Sequence, residues 1–242
     1  MKITILRGSL FAGALAALCS MLFVLPASAS YEDCDKLTFC LYTGESGTGS
    51  AQRLALKDGD KALAYDGTWN EKTVSIANNT PLWACLYENT QYGAALQAVA
   101  PGAKGDLATL ATPGAPAGNN LAGKVSSHKL VSAQSLCFTG YERCTDDKVC
   151  IFREKNGRGP MFETAIDYRQ YAGGWEANVQ SVRNRTGTAV CFYNEHTWSG
   201  TFPSGAKAYR VNRGDSTSLA GEFAGTFGSH KFTTSETDSV CP

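Results

Sequence analysis

One short unit occurs four times in this chain and limits what the chain can fold into. Each copy is a cysteine, an apolar residue and an aromatic residue, followed by a turn that ends in a small residue. The copies begin at Cys40, Cys85, Cys150 and Cys191, at spacings of 45, 65 and 41 residues. A strand carrying the aromatic ring enters a tight turn, where glycine takes a positive φ without a Cβ clash. The recurrence predicts two domains, each built from two units.

The N-terminal residues have the features of a secretory signal. These features are two basic residues, an apolar run and a small-x-small cleavage site (Lys2 and Arg7, residues 9–25, Ala27-Ser28-Ala29). We expect residues 1–29 to be removed and the mature protein to be secreted. An uncleaved anchor is the alternative, and Pro26 with the cleavage pattern disfavours it. No later apolar run is long enough to span a bilayer, so no membrane contact is expected after cleavage.

The charge balance gives no sign of a nucleic-acid partner. Without Lys2 and Arg7 the chain keeps 20 basic and 22 acidic residues, a net charge of about −2. No block of basic residues suggests an anionic membrane surface either. Charged residues are 18% of the chain and glycine is frequent, which is typical of a compact exported β protein.

Cysteine spacing divides the mature chain into two similar halves. Nine cysteines less Cys19 of the signal leave eight, which are Cys34, Cys40, Cys85, Cys137 and Cys144, Cys150, Cys191, Cys241. Both quartets open with Cys-x5-Cys, and an even number in an exported chain predicts disulfides. Four cysteines allow three pairings, and spacing alone does not choose among them. The arrangement we favour joins the first two and the last two cysteines of each half.

The fold class predicted from these patterns is all-β. Short segments rich in β-forming residues alternate with glycine, asparagine and aspartate clusters every eight to twelve residues, as in a β-sandwich. We place the first domain at residues 30–137, a linker at 138–143 and the second domain at 144–242. Because the linker is short, the domains should sit close together.

No residue pattern indicates an enzyme. His128 and His230 occupy the same position in the two halves, as do Trp69 and Trp175, and residues duplicated in place are more often structural. His196 lies in the turn of the fourth unit and is expected at the surface. Motifs of hydrolases and phosphate-binding loops are missing, and the eight mature cysteines are expected to be oxidised rather than nucleophilic.

Calcium is the one cofactor considered, and the sequence offers little for it. Residues 70–75 carry some oxygen donors, and their counterparts at 176–181 carry fewer. The simpler interpretation is that Ser75 and Ser181 hydrogen-bond to the backbone of the folded hairpins. The Asn-x-Thr triplets at 78–80 and 184–186 match a glycosylation pattern, but a turn role for the asparagines is favoured.

The mature chain resembles two copies of the secreted actinomycete metalloproteinase inhibitors. The resemblance lies in the Cys-x5-Cys-apolar-aromatic opening, the Gly-ended turn, the Ser-x-x-Asn-x-Thr segments and residues 99–103. It implies two tandem βγ-crystallin-like Greek-key domains, a monomeric inhibitor and an extracellular protease as partner. In that family the opening cysteine pair is bridged, which implies Cys34–Cys40 and Cys144–Cys150.

Two departures separate this chain from the family. The inhibitor of known mechanism presents its reactive bond in a compact Cys-x4-Cys loop, and neither half has one, so no reactive residue carries over. The calcium motif is also damaged, because Val74 occupies a Ser/Thr position. Three loops are candidates for inhibition, and the sequence does not choose among them (Glu45–Gly49, Lys155–Pro160, Thr112–Asn120).

Two functions follow as hypotheses. The first is a secreted inhibitor that blocks a protease, of the metalloprotease class by resemblance, through an exposed loop. The second is a non-inhibitory βγ-crystallin-type module that binds a glycan or wall ligand, or acts as an antimicrobial toxin, with calcium as an optional stabiliser. Tryptophan and tyrosine side chains exposed on one face would favour the second.

Overall fold

The structure is a computed structural model that describes residues 29–56, 61–111, 120–194, 207–234 and 241. Strands and short 3₁₀ turns account for their regular structure, which confirms the all-β class. The predicted signal lies outside these residues except for Ala29, as do His196 and most of Thr112–Asn120. No helix within the described part of the chain is long and apolar enough to cross a membrane.

The strands of the first half are β1 (Thr38–Tyr42), β2 (Ala51–Ala55), β3 (Lys61–Ala62), β4 (Ser75–Asn78), β5 (Trp83–Tyr87), β6 (Leu96–Val99), β7 (Lys104–Asp106) and β8 (Ser127–Val131). Those of the second half are β9 (Val149–Phe152), β10 (Met161–Thr164), β11 (Ser181–Asn184), β12 (Val190–Tyr193), β13 (Ala208–Val211), β14 (Ser216–Ser218) and β15 (Ser229–Phe232). The 3₁₀ turns span Tyr31–Asp33, Glu45–Gly47, Thr90–Tyr92, Gln134–Phe138, Tyr141–Arg143, Lys155–Gly157 and Gly221–Phe223.

Two Greek keys in the first half exchange one strand each. The first sheet has the order β2-β1-β4-β7, so its edge strand β7 comes from the second key. The other sheet has the order β3-β8-β5-β6, so its edge strand β3 comes from the first key. All these pairings are antiparallel. The exchange makes the two-sheet sandwich expected for a βγ-crystallin-like domain.

The second half repeats this exchange. Its sheets have the orders β10-β9-β11-β14 and β13-β12-β15. In place of a strand equivalent to β3, a single bridge joins Tyr168 to His230 of β15. Every strand pairing described in the structure stays within one half, so the halves have separate sheets. The exact boundaries at residues 137 and 144 stay a prediction.

Successive side chains of the recurring unit point to opposite faces of the sheet, and this alternation explains the composition of the unit. In β1 the side chains of Phe39 and Leu41 enter the core between the sheets. Cys40 and Tyr42 point to the opposite face, where they pack with Cys34 under the N-terminal segment. All five residues of β1 are therefore buried. The unit needs a cysteine and an aromatic residue because its outer face is covered too.

Four disulfides close these outer faces. They join Cys34 to Cys40, Cys85 to Cys137, Cys144 to Cys150 and Cys191 to Cys241. These are the short-range and long-range pairs favoured above, repeated in both halves. Each long bridge ties the end of a half to the central strand of its second sheet.

The duplicated histidines are core residues bonded to duplicated tyrosines. Nδ1 of His128 lies 2.8 Å from the hydroxyl of Tyr65, and Nδ1 of His230 lies 2.8 Å from that of Tyr171. Nε2 of His230 lies 3.0 Å from the carbonyl oxygen of Ile166 and must donate to it. Nδ1 is then the acceptor for the Tyr171 hydroxyl. Burial lowers the pKa of His230 to about 4, against the opposing effects of the Ile166 hydrogen bond and the Asp167 charge.

The buried imidazole of His230 predicts an acid-sensitive second half. Because the folded-state pKa lies below the unfolded value of about 6.5, the unfolded chain binds the extra proton first as the pH falls. The stabilisation is complete above about pH 6.5 and is lost toward pH 4, which amounts to about 2 kcal/mol between pH 7.5 and 4.5. Urea unfolding followed at both pH values should show this loss, and His230→Gln should reduce it. An equal loss in the variant would show that His230 is not the responsible group.

Candidate functional site

A serine hydroxyl holds the first candidate loop, Glu45–Gly49, in its folded shape. Ser75 Oγ donates to the carbonyl of Gly44 at 2.6 Å and accepts from the N–H of Gly47 at 3.0 Å. Gly47 has φ 78° and lies under Tyr31, where an added Cβ would come within 2.7 Å of the ring. Only glycine fits there. The hairpin is thus rigid, with Glu45 and Ser46 exposed at its tip.

The second candidate loop, Lys155–Pro160, is clasped in the same way. Ser181 Oγ donates to the carbonyl of Glu154 at 2.6 Å and accepts from the N–H of Gly157 at 2.9 Å. Tyr141 covers Gly157 as Tyr31 covers Gly47. Neither tyrosine was identified from the sequence. Each lies three residues before the first cysteine of its half, and this shared position could have revealed them.

This second loop turns toward the first half and is not a free tip. Arg158 donates through Nε to the carbonyl of Tyr92 at 2.8 Å and through Nη2 to that of Ala94. The carboxylate of Glu154 accepts the N–H of Ala94, with both oxygens at 3.0 Å. The partners of these bonds are backbone groups of Tyr92 and Ala94, in the turn between β5 and β6. Only Lys155 and Asn156 of the loop remain exposed.

The segment expected to be a linker completes the contact between the halves. Arg143 donates to the carbonyls of Gly157 and Gly159, each at 2.7 Å, and its guanidinium lies 5.3 Å from the ring centre of Tyr92. Lys129 Nζ lies 2.6 Å from Glu142 Oε1, and burial lowers the pKa of this lysine. A groove of about 530 Å³ runs beside these charges. Lys129 is thus paired with a carboxylate, and the guanidinium of Arg143 is occupied by backbone carbonyls.

The serines of the segments weighed for calcium are already engaged in hydrogen bonds. In the part of the chain that the structure describes, no three His, Cys, Asp or Glu side chains meet as metal ligands. The hydroxyl of Ser75 is fully engaged with Gly44 and Gly47, and Ser181 is engaged in the same way. Val74 supplies no side-chain oxygen. The serines do what the simpler interpretation proposed, which is to close hairpins.

Another exposed loop, which is not among the three candidates from the sequence, lies inside the first disulfide. Cys34 and Cys40 are 6.0 Å apart at Cα, and between them Leu37 is 57% exposed with φ 60°. Its N–H donates to the carbonyl of Asn79 at 3.1 Å, and its carbonyl accepts from Leu56 at 3.0 Å. A leucine in the left-handed region costs on the order of 1 kcal/mol or more. The Cys-x5-Cys spacing signalled the loop but not this conformation.

An aromatic pocket of about 320 Å³ opens on the second half. Phe162, Tyr168, Tyr171 and Trp175 line it. A pocket of equal size lies at the corresponding place in the first half, with Tyr65 and Trp69 as counterparts of Tyr171 and Trp175. There the strand registers put Gln52 and Ala62 where the second half has Phe162 and Tyr168. The same pocket is thus mostly aromatic in one half and more polar in the other.

Comparison with known proteins gives the family. The sequence model of peptidase inhibitor family I36 matches residues 27–99 and again residues 139–203, which is more than half of the chain. The chain belongs to peptidase inhibitor family I36. Membership supports a peptidase inhibitor role and a peptidase as partner, and it agrees with the expectation that the protein is not an enzyme. The two matches correspond to the two copies identified in the sequence.

Solved structures similar to this family I36 member are βγ-crystallins. Geodin from Geodia cydonium is 11% identical, with a TM-score of 0.34, and covers 82% of this chain and 100% of its own. A βγ-crystallin from an archaeon is 14% identical, with a TM-score of 0.29, and covers 37% of this chain and 100% of its own. At such scores the fold rests on the strand exchange described above. No curated protein matches the chain.

Proposed function

We propose that this family I36 member is secreted and, as a monomer without bound calcium, inhibits a metalloprotease through an exposed loop. The observation that carries the proposal is family membership of both halves together with the rigidity of their loops. Serine clasps hold the hairpins, and disulfides hold the segments that open each half. A loop fixed before binding loses little entropy when it docks, which favours tight inhibition.

The crosslinks support the secreted compartment in this proposal. Four disulfides in a chain of this size are typical of proteins that work in an oxidising environment. Peptidases in that environment are secreted or bound to the outer surface of cells. The metalloprotease class comes from the resemblance to the secreted actinomycete inhibitors.

A panel of peptidases tests the proposal directly. The mature protein, residues 30–242, should inhibit a thermolysin-type metalloprotease at micromolar concentration or below and leave serine and cysteine proteases active. Protein with reduced and alkylated cysteines is the control and should lose inhibition. Inhibition of only a serine or cysteine protease would contradict the metalloprotease class, and no inhibition by the folded protein would contradict the function.

The aromatic pocket supports a second candidate function, binding of a neutral glycan. Arg153 already lies over Trp175, with its guanidinium carbon 4.9 Å from the ring centre, so a cationic ligand would be repelled. Tyr168 and Phe162 leave apolar ring surface at the mouth, on which the apolar face of a sugar could stack. The more polar counterpart in the first half shows that the fold does not need these rings.

Exchanging the pocket lining tests the glycan candidate. The double variant Phe162→Gln with Tyr168→Ala gives the second half the residues of the first and should abolish co-sedimentation with cell-wall polysaccharide. Gln52→Ala changes the counterpart pocket and should leave binding intact. Equal co-sedimentation of all three proteins, or none by the wild type, would rule this function out.

A further inference from the structure

Leu37 combines two features that folding does not favour. The described residues contain four exposed large hydrophobic side chains, at Leu37, Leu63, Leu136 and Ile166. Of these four, Leu37 is the one with a positive φ. A bulky side chain is strained in that region, and exposed aliphatic surface gains nothing from burial. Strain of this kind is retained where surrounding structure enforces it, and it concentrates at functional sites.

The second half shows that the fold does not require leucine at this position. Asp147 occupies the equivalent place between Cys144 and Cys150, with the same φ of 60° and an exposed side chain. Aspartate adopts this conformation more readily than leucine, and its charged side chain is well solvated at the surface. The two halves therefore share the loop geometry and differ in the chemistry that they present at its tip.

Both loops are held rigidly, so rigidity is not what distinguishes them. In the first half Asn79 Nδ2 donates to the carbonyl of Cys34 at 2.5 Å. In the second half Arg185 Nη1 donates to the carbonyl of Cys144 at 2.8 Å. Each brace comes from the segment after the corresponding strand, β4 or β11. A leucine displayed on such a braced loop is an apolar anchor that needs no ordering on binding.

We propose that Leu37 is the anchor residue that the first half inserts into an apolar pocket of the inhibited protease. This inference rests on the proposed inhibitory function and names the contact that performs it. Exposed Asp35 and Lys36 beside it supply a polar rim. The N–H and carbonyl of Leu37 are both bonded within the chain. The loop therefore cannot pair with the enzyme as a substrate strand, and the side chain alone enters the pocket.

Two substitutions in the full mature chain test the assignment with a built-in control. Leu37→Asp gives the first loop the residue of the second and should raise the inhibition constant at least about thirtyfold, the loss expected for an apolar hot spot. Asp147→Leu, the reverse change in the other half, should leave it within about threefold. Leu37→Asn provides a second variant, because asparagine adopts the left-handed region more readily than leucine and carries no charge.

Thermal melting separates a binding role from a structural one. Both substitutions at position 37 relieve backbone strain, so the melting temperature should stay constant or rise while inhibition falls. A lowered melting temperature with a matching loss of inhibition would make Leu37 a structural residue and overturn the assignment. A switch from dimer to monomer in Leu37→Asp would overturn it in favour of self-association.

Failure of this inference is distinguishable from failure of the proposed function. If the wild type inhibits a protease and Leu37→Asp inhibits it equally well, the function stands and Leu37 is not the anchor. If the wild type inhibits no member of the panel, the function fails and the anchor assignment fails with it. Mass spectrometry of the complex should find the 36–38 segment uncleaved, and cleavage there would contradict side-chain insertion.

Discussion

Three of the four described sheets contain a strand from the other Greek key of their half, and the fourth has a single bridge in its place. β7 completes the sheet of β1 and β4, and β3 or the Tyr168 bridge completes the opposite sheet. A single key would leave an unpaired sheet edge and an open core, both of which are costly. Two keys therefore form one unit, and their connecting hairpins are fixed at both ends.

Rigidity at the surface follows from this exchange. Ser75 and Ser181, which clasp the hairpins, are the first residues of β4 and β11. These two strands pair with the exchanged strands β7 and β14. Disulfides then cover the outer sheet faces, so neither face of the central strands is left to solvent. Loops on such a scaffold are already ordered, so they lose little conformational entropy when they bind. An inhibitor needs this property.

Much of this architecture was predictable from the sequence because it is repeated there. The side-chain oxygens of the buried Asn78 and Asn184 accept hydrogen bonds from the threonine two residues later, in keeping with the turn role favoured for them. Two features were not predictable. Lys155–Pro160 was a candidate free loop, yet Arg158 binds backbone carbonyls of the first half. Every residue has a backbone carbonyl, so no sequence pattern could identify these partners. Leu37 could not be recognised because its significance lies in a backbone angle and in its exposure.

Native-state hydrogen exchange tests the central claim, that the two keys of a half open together. Amides of β1 and β4 in the first key should show the same opening free energy as those of β5 and β8 in the second, with equal dependence on denaturant. The second half is free to open at a different free energy. If β5 and β8 stay protected while β1 and β4 exchange through a separate, lower-energy opening, the keys are independent and the account is wrong.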